Sequence, residues 1–109
     1  MLVADEDDLW VRLSRREKLG ALRGDIRVPL SAVEDVRVSR QPFGEVRGVR
    51  APGTGIPRVI ALGTWRERGG KDFVALYRDR PAVIVRLRDA PFRRLLISTE
   101  DAEGVAAAL

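Results

Sequence analysis

The chain contains neither cysteine nor histidine, and these two absences exclude more chemistry than any other count. There is no disulfide framework, no zinc finger, no Cys or His nucleophile–base pair and no haem ligand from His. Long apolar runs are missing too. The longest stretches free of charge are Ala51–Pro57 and Val59–Trp65, too short and too glycine-rich to cross a bilayer, so no transmembrane segment is expected. Lysine is scarce, with 2 Lys against 18 Arg, beside 12 Ala and 10 Gly. That bias fits GC-rich codons, with arginine standing wherever a surface cation was acceptable. The net charge of +4 is therefore weak evidence for a polyanionic partner. Met1 to Asp8 holds four acidic residues in succession and no basic one. This is the reverse of a secretory leader, and a cytoplasmic protein is expected. The run Asp5-Glu6-Asp7-Asp8 lacks the glycine turn and spacing of a calcium loop. Residues 1–8 are expected to be a solvated acidic tail, with no metal or cofactor.

What remains describes one domain. At 109 residues, 45% hydrophobic and 33% charged, the chain is long enough for a single core and too apolar for disorder. Six or seven short β patterns fill residues 9–98. Leu9, Val11 and Leu13 alternate with Trp10 and Arg12, and Ile26, Val28 and Leu30 with Arg27 and Pro29. Pro29 cannot donate to a ladder, so that strand lies at an edge or ends there. Between them, Ser14 and Glu17 form a capping box for a helical turn that Gly20 is expected to end. Val36 and Val38 mark a third strand, and Val59–Trp65, Lys71–Tyr77, Ala82–Arg88 and Phe92–Ile97 mark four more. Residues 40–57 carry four Gly and three Pro and read as one long loop, functional or disordered. Ser98-Thr99-Glu100-Asp101 opens a helix over 100–109, with Val105 and Leu109 as its large apolar side chains. The order predicts a mainly β, strongly bent sheet or barrel whose end a C-terminal helix covers.

Leu9–Gly20, the stretch Asp25-Ile26-Arg27-Val28-Pro29-Leu30-Ser31-Ala32-Val33-Glu34-Asp35-Val36, and the late strand running into Ser-x-x-Asp and a final helix together resemble the bacterial pleckstrin-homology-like (PH-like) domains, of the small actinobacterial type. The resemblance implies a bent, partly open antiparallel barrel of about seven strands. It also implies binding or scaffolding without catalysis, often with self-association. Relatives that bind phosphoinositides carry a Lys and then a basic-x-Arg triplet. Lys18 is in place, but Arg27 is followed two positions on by Pro29, so that recognition does not carry over.

No catalytic constellation emerges. The serines sit at turns and caps, which accounts for them, and Glu34-Asp35 point to opposite faces of a strand. Gly53-x-Gly55 lacks the third glycine, the preceding strand and the following helix of a dinucleotide fingerprint. The loop 51–57 has a better use. Rigid at Pro52 and Pro57, it carries Thr54 and lies among Arg47, Arg50 and Arg58. Its backbone N–H groups and guanidiniums suit an anion or a carboxylate-bearing peptide, whereas the plain alternative is a stiffened surface loop. Arg66, Arg68, Arg78, Arg80, Arg86 and Arg88 permit a basic stripe. Nucleic-acid binders of this size interleave exposed aromatics, and here most aromatics are wanted for the core. Nucleic acid is thus the second reading, behind a protein or anionic ligand. Lys71–Tyr77 is apolar on both sides and calls for cover from a loop, the helix or a second copy, so a homo-oligomer is also expected.

Overall fold

Strands that alternate and strands that are apolar throughout sort into different layers. The computed structural model describes residues 1–109. It contains β1 (Leu2–Ala4), β2 (Asp8–Val11), α1 (Arg15–Ala21), β3 (Ile26–Pro29), β4 (Val33–Ser39), β5 (Val49–Ile56), β6 (Ile60–Glu67), β7 (Gly70–Tyr77), β8 (Ala82–Leu87), β9 (Arg94–Ser98) and α2 (Ala102–Ala107). Single 3-10 turns lie at Leu30–Ala32 and Pro42–Glu45. β1, β2 and β3 make a small antiparallel sheet, and the other strands a large one in the order β4-β8-β9-β7-β6-β5. The fold is mainly β, a strongly bent arrangement with a C-terminal helix. The strands number nine rather than seven, they form two sheets without closing a barrel, and one pair, β7–β9, is parallel.

The small sheet buries one face, so Leu9, Val11, Ile26 and Val28 point inward while Trp10 and Arg27 point out. The inner face of the large sheet meets it with Leu62, Phe73, Val83, Val85, Leu95 and Ile97. Phe73 and Phe92 pack edge to face at 6.0 Å, a favourable quadrupole arrangement. The central strands are also covered on their outer face, where Ala61, Trp65, Val74, Leu76, Ile84 and Leu96 form a second cluster. Burial on both faces explains their unbroken apolar runs. The cover is the strap Pro42–Val46, which lays Phe43 and Val46 on this cluster. The apolar side of β7 thus finds its cover within the chain, and no bare face of β7 is left for a second copy.

Three further expectations are corrected. Residues 1–8 are not a free tail: Leu2 is in the core, β1 pairs with β2, and the acidic run folds back on itself. Asp5 accepts hydrogen bonds from the N–H groups of Asp7 and Asp8 and from Trp10 Nε1 at 3.0, 2.7 and 3.0 Å. Residues 40–57 are not one loop, because β5 occupies Val49–Ile56 at the sheet edge. An edge tolerates proline, and β5 is exposed along most of its length, so it carries no hydrophobic alternation to detect. The helix α1 keeps its capping box, but it passes Gly20 and stops at Leu22, which adopts a left-handed φ of 56°. Gly20 serves packing instead: a Cβ there would lie 2.9 Å from Leu62 Cδ2.

The C-terminal helix, Ala102–Ala107 rather than 100–109, packs against β4 and β8; its buried anchor is Ala102, Val105 is half-buried, and Leu109 lies half-buried beyond its end. Val105→Asp is therefore expected to cost about 2 kcal/mol, one partly buried aliphatic plus an unpaired charge at the core edge. The melting temperature should drop by roughly 8–16 °C, at 4–8 °C per kcal/mol. Glu103→Ala breaks only an exposed pair with Arg40 and should stay within about 0.5 kcal/mol of the parent. Equal melting of both variants would show that the helix does not hold the core.

Candidate functional site

The outer face of the large sheet forms two concavities, one on either side of the strap. The larger, about 1130 Å³, opens toward the β5 edge. Trp65 and Ala61 make its floor, and Pro42 and Phe43 one wall. The opposite wall is Arg50, which lies flat across Gly55 and donates from Nη1 to the Gly55 carbonyl at 3.1 Å. Glycine leaves room for this pose: a Cβ at position 55 would sit 2.4 Å from that nitrogen and push the guanidinium aside. Two turns close the end, 57–59 and 78–81, joined where Arg78 N–H donates to the Val59 carbonyl at 2.9 Å.

The lining is strongly basic. Arg40, Arg50, Arg58, Arg78 and Arg80 face a single carboxylate, Asp79. Arg40–Glu103, Arg78–Asp79 at 3.6 Å and Arg80–Glu100 at 3.8 Å are exposed pairs, so solvent screens them and they neutralise little. Arg58 sits at a left-handed turn position with φ 60°. The arrangement offers fixed positive charge above an apolar floor, suited to holding an acidic, partly apolar segment.

Of the four residues singled out in the sequence, the structure brings two together. Arg50 and Arg58 line the groove, whereas Arg47 lines the smaller concavity beyond the strap. Thr54 is not in the groove at all. It points to the inner side, and its Oγ1 donates to the Gly20 carbonyl at 2.8 Å, tying β5 to α1. The cradle of free N–H groups expected from the loop does not form, because residues 53–56 pair with β6.

The strap is positioned by a charged network that sequence reasoning missed. Arg37 meets Glu45 with two bonds of 2.7 and 2.6 Å. Arg94 donates to the Glu45 carbonyl at 3.0 Å and also to Asp72 Oδ2, from Nη2 at 2.6 Å and from Nε at 3.0 Å. Arg93 adds bonds of 3.2 and 3.1 Å to Asp72 and a 2.6 Å pair with Glu67. The available signal was Asp72 at the head of an apolar strand and the pair Arg93-Arg94 at the head of another. Only the parallel β7–β9 register places Asp72 opposite Arg94.

The Arg37 hydrogen bonds outweigh burial and hold the Glu45 carboxyl down at about 2, against an ordinary 4.5. A carboxylate lowered in the folded state stabilises fully above its unfolded value, and that contribution is lost as pH falls through the folded one. Acidification from pH 5 toward 2.5 should therefore loosen the strap. Trp65, in the patch beneath it, reports this as a red-shifted emission in a Trp10→Phe background. Glu45→Gln should show the shifted emission already at pH 5. A flat Trp65 signal in both proteins would contradict the anchoring role.

Elsewhere, Tyr77 donates to Glu17 Oε2 at 2.5 Å. Burial and then the adjacent Glu17 push the Tyr77 hydroxyl pKa well above its usual range. This contact joins α1 to β7 and lies outside the groove. No helix is long and apolar enough to cross a membrane. Compared with family models, curated proteins and solved structures, the chain matches none.

Proposed function

We propose that the protein is a non-catalytic, cytoplasmic binding module of PH-like type, whose groove takes an acidic segment of a partner protein. The observation that carries this reading is the lining of five arginines and one aspartate over Trp65 and Phe43. Charge complementarity favours a partner rich in Asp and Glu, and the apolar floor favours an interspersed Leu or Phe. Guanidiniums and apolar surface bind and orient; the groove offers no nucleophile beside a base.

Fluorescence anisotropy with a labelled peptide of alternating Glu and Leu tests the reading. Saturable binding is expected, weakened about tenfold by the double change Arg50→Gln/Arg58→Gln, or ~1.4 kcal/mol. Absence of saturable binding, or equal affinity for both proteins, would remove this function.

One observation favours nucleic acid as a second reading. Trp10 lies half-exposed on the outer face of the small sheet, with the guanidiniums of Arg12 and Arg27 at 4.3 and 5.5 Å from its ring. Such an aromatic among cations suits base stacking. Tight, steeply salt-dependent oligonucleotide binding that Trp10→Ala abolishes would put this reading first.

A further inference from the structure

We propose that the smaller concavity of the outer face binds a compact tetrahedral oxyanion, a phosphate or phosphoryl group. Its volume is about 200 Å³, suited to a small anion and too small for a peptide segment. Five arginines line it, Arg37, Arg47, Arg86, Arg93 and Arg94, with Asp35 as the only acid. Topology gathers them from three strands and two connecting segments, so no local motif announces the site. The register Asp35–Arg86–Arg94 across β4, β8 and β9 sets two arginines directly opposite one another. Like charges so placed repel, and an anion between them relieves the repulsion.

The surrounding carboxylates explain why the guanidiniums hold still without filling the cavity. Asp72, Glu45 and Glu67 grip Arg94, Arg93 and Arg37, and none of the three lines the concavity. Held in this way, the donors are organised before a ligand arrives. Arg94 keeps Nη1 without a partner, since its bonds use Nε and Nη2. Two cations lack a close counter-ion. Arg86 reaches Glu34 only at 3.6 Å between exposed groups, and Arg47, on the loop after the strap, makes no ion pair. A dianion matches that pair of charges. Its tetrahedral oxygens accept from several guanidiniums at once, which a planar carboxylate cannot do equally well. Asp35 opposes the ligand and limits affinity. The site lies across the strap from the acidic-segment groove and does not depend on it.

Calorimetry and thermal unfolding with inorganic phosphate, against chloride at matched ionic strength, test the proposal. Saturable binding with a rise in melting temperature is expected. Arg47→Gln and Arg86→Gln, both exposed positions, should each weaken it about tenfold, or ~1.4 kcal/mol, while Arg68→Gln, outside the lining, leaves it unchanged. Asp35→Asn should tighten it, an effect that a merely structural role for Asp35 would not produce. Phosphoserine separates the sources: binding of both ligands marks a site open to a phosphorylated chain, and binding of phosphate alone marks one for the free ion. No saturable binding by either, or equal effects in Arg47→Gln and Arg68→Gln, would overturn the site.

Discussion

Asp72→Ala is expected to lower stability by about 3–5 kcal/mol, the range for removing one partner from a buried ion pair. Asp72 is 1% exposed, and the Arg94 side chain that it neutralises is 9% exposed. Without the carboxylate, Arg94 is left largely buried with its charge uncompensated. Truncating both ends should cost less than truncating one, because a buried pair roughly balances its own desolvation. Asp72→Ala/Arg94→Met is therefore expected to recover part of the loss in urea or thermal unfolding. The strap should loosen in the single variant as well, since Arg94 also holds the Glu45 carbonyl. A single variant melting with the parent would show that this network is not what fixes β7, β9 and the strap.

Gly63→Val should detach β5 from the sheet. Gly63 has a φ of 140° and faces Gly53 across the β5–β6 ladder, and Gly53 has a φ of 152°. A Cβ at 63 would fall 2.4 Å from the Pro52 carbonyl oxygen and 2.6 Å from Gly53 Cα. Both are backbone atoms and cannot swing aside. The strained φ costs about 1–3 kcal/mol and overpacking about 1–3 more, enough to peel an edge strand. Amide exchange over Gly53–Ile56 should rise to loop rates, and peptide binding should fail with the loss of the Arg50 wall. Gly55→Ala is the matching control, because its Cβ meets only the movable tip of Arg50. It should disturb the groove and leave the sheet intact. Protected amides over Gly53–Ile56 in Gly63→Val would show that the two backbones do not need to approach so closely.

The contrast between β2 and β5 shows what was legible along the chain. β2 and β3 bury one face and alternate in sequence; β7, β8 and β9 are covered on both faces and read as apolar runs. Wherever burial imposed a period, the residues carried it, and local hydrogen bonds were equally readable in the Ser14–Glu17 capping box. β1 escaped because three residues are too few to show a period, and β5 because it is mostly exposed, so burial imposes no pattern on it; β3, also at a sheet edge, was readable because it buries alternate residues. The candidate site was half legible. Arg50 and Arg58 were recognisable as cations beside a glycine-rich turn, but Thr54 could not be separated from them, because residues 51–57 read as a loop and only the alternation of a strand turns its side chain inward.

The sequence by itself determined the secondary-structure class, the capped first helix, the absence of Cys and His chemistry and the arginine surplus, all set by composition or by contacts a few residues long. Tertiary structure alone decided that β9 lies parallel beside β7, that Asp72 meets Arg94 and that a strap covers the outer face. It also decided which arginines share a cavity and which are neutralised. A side chain's charge is local, but its neighbours come from strand order and register, which link residues far apart in the chain.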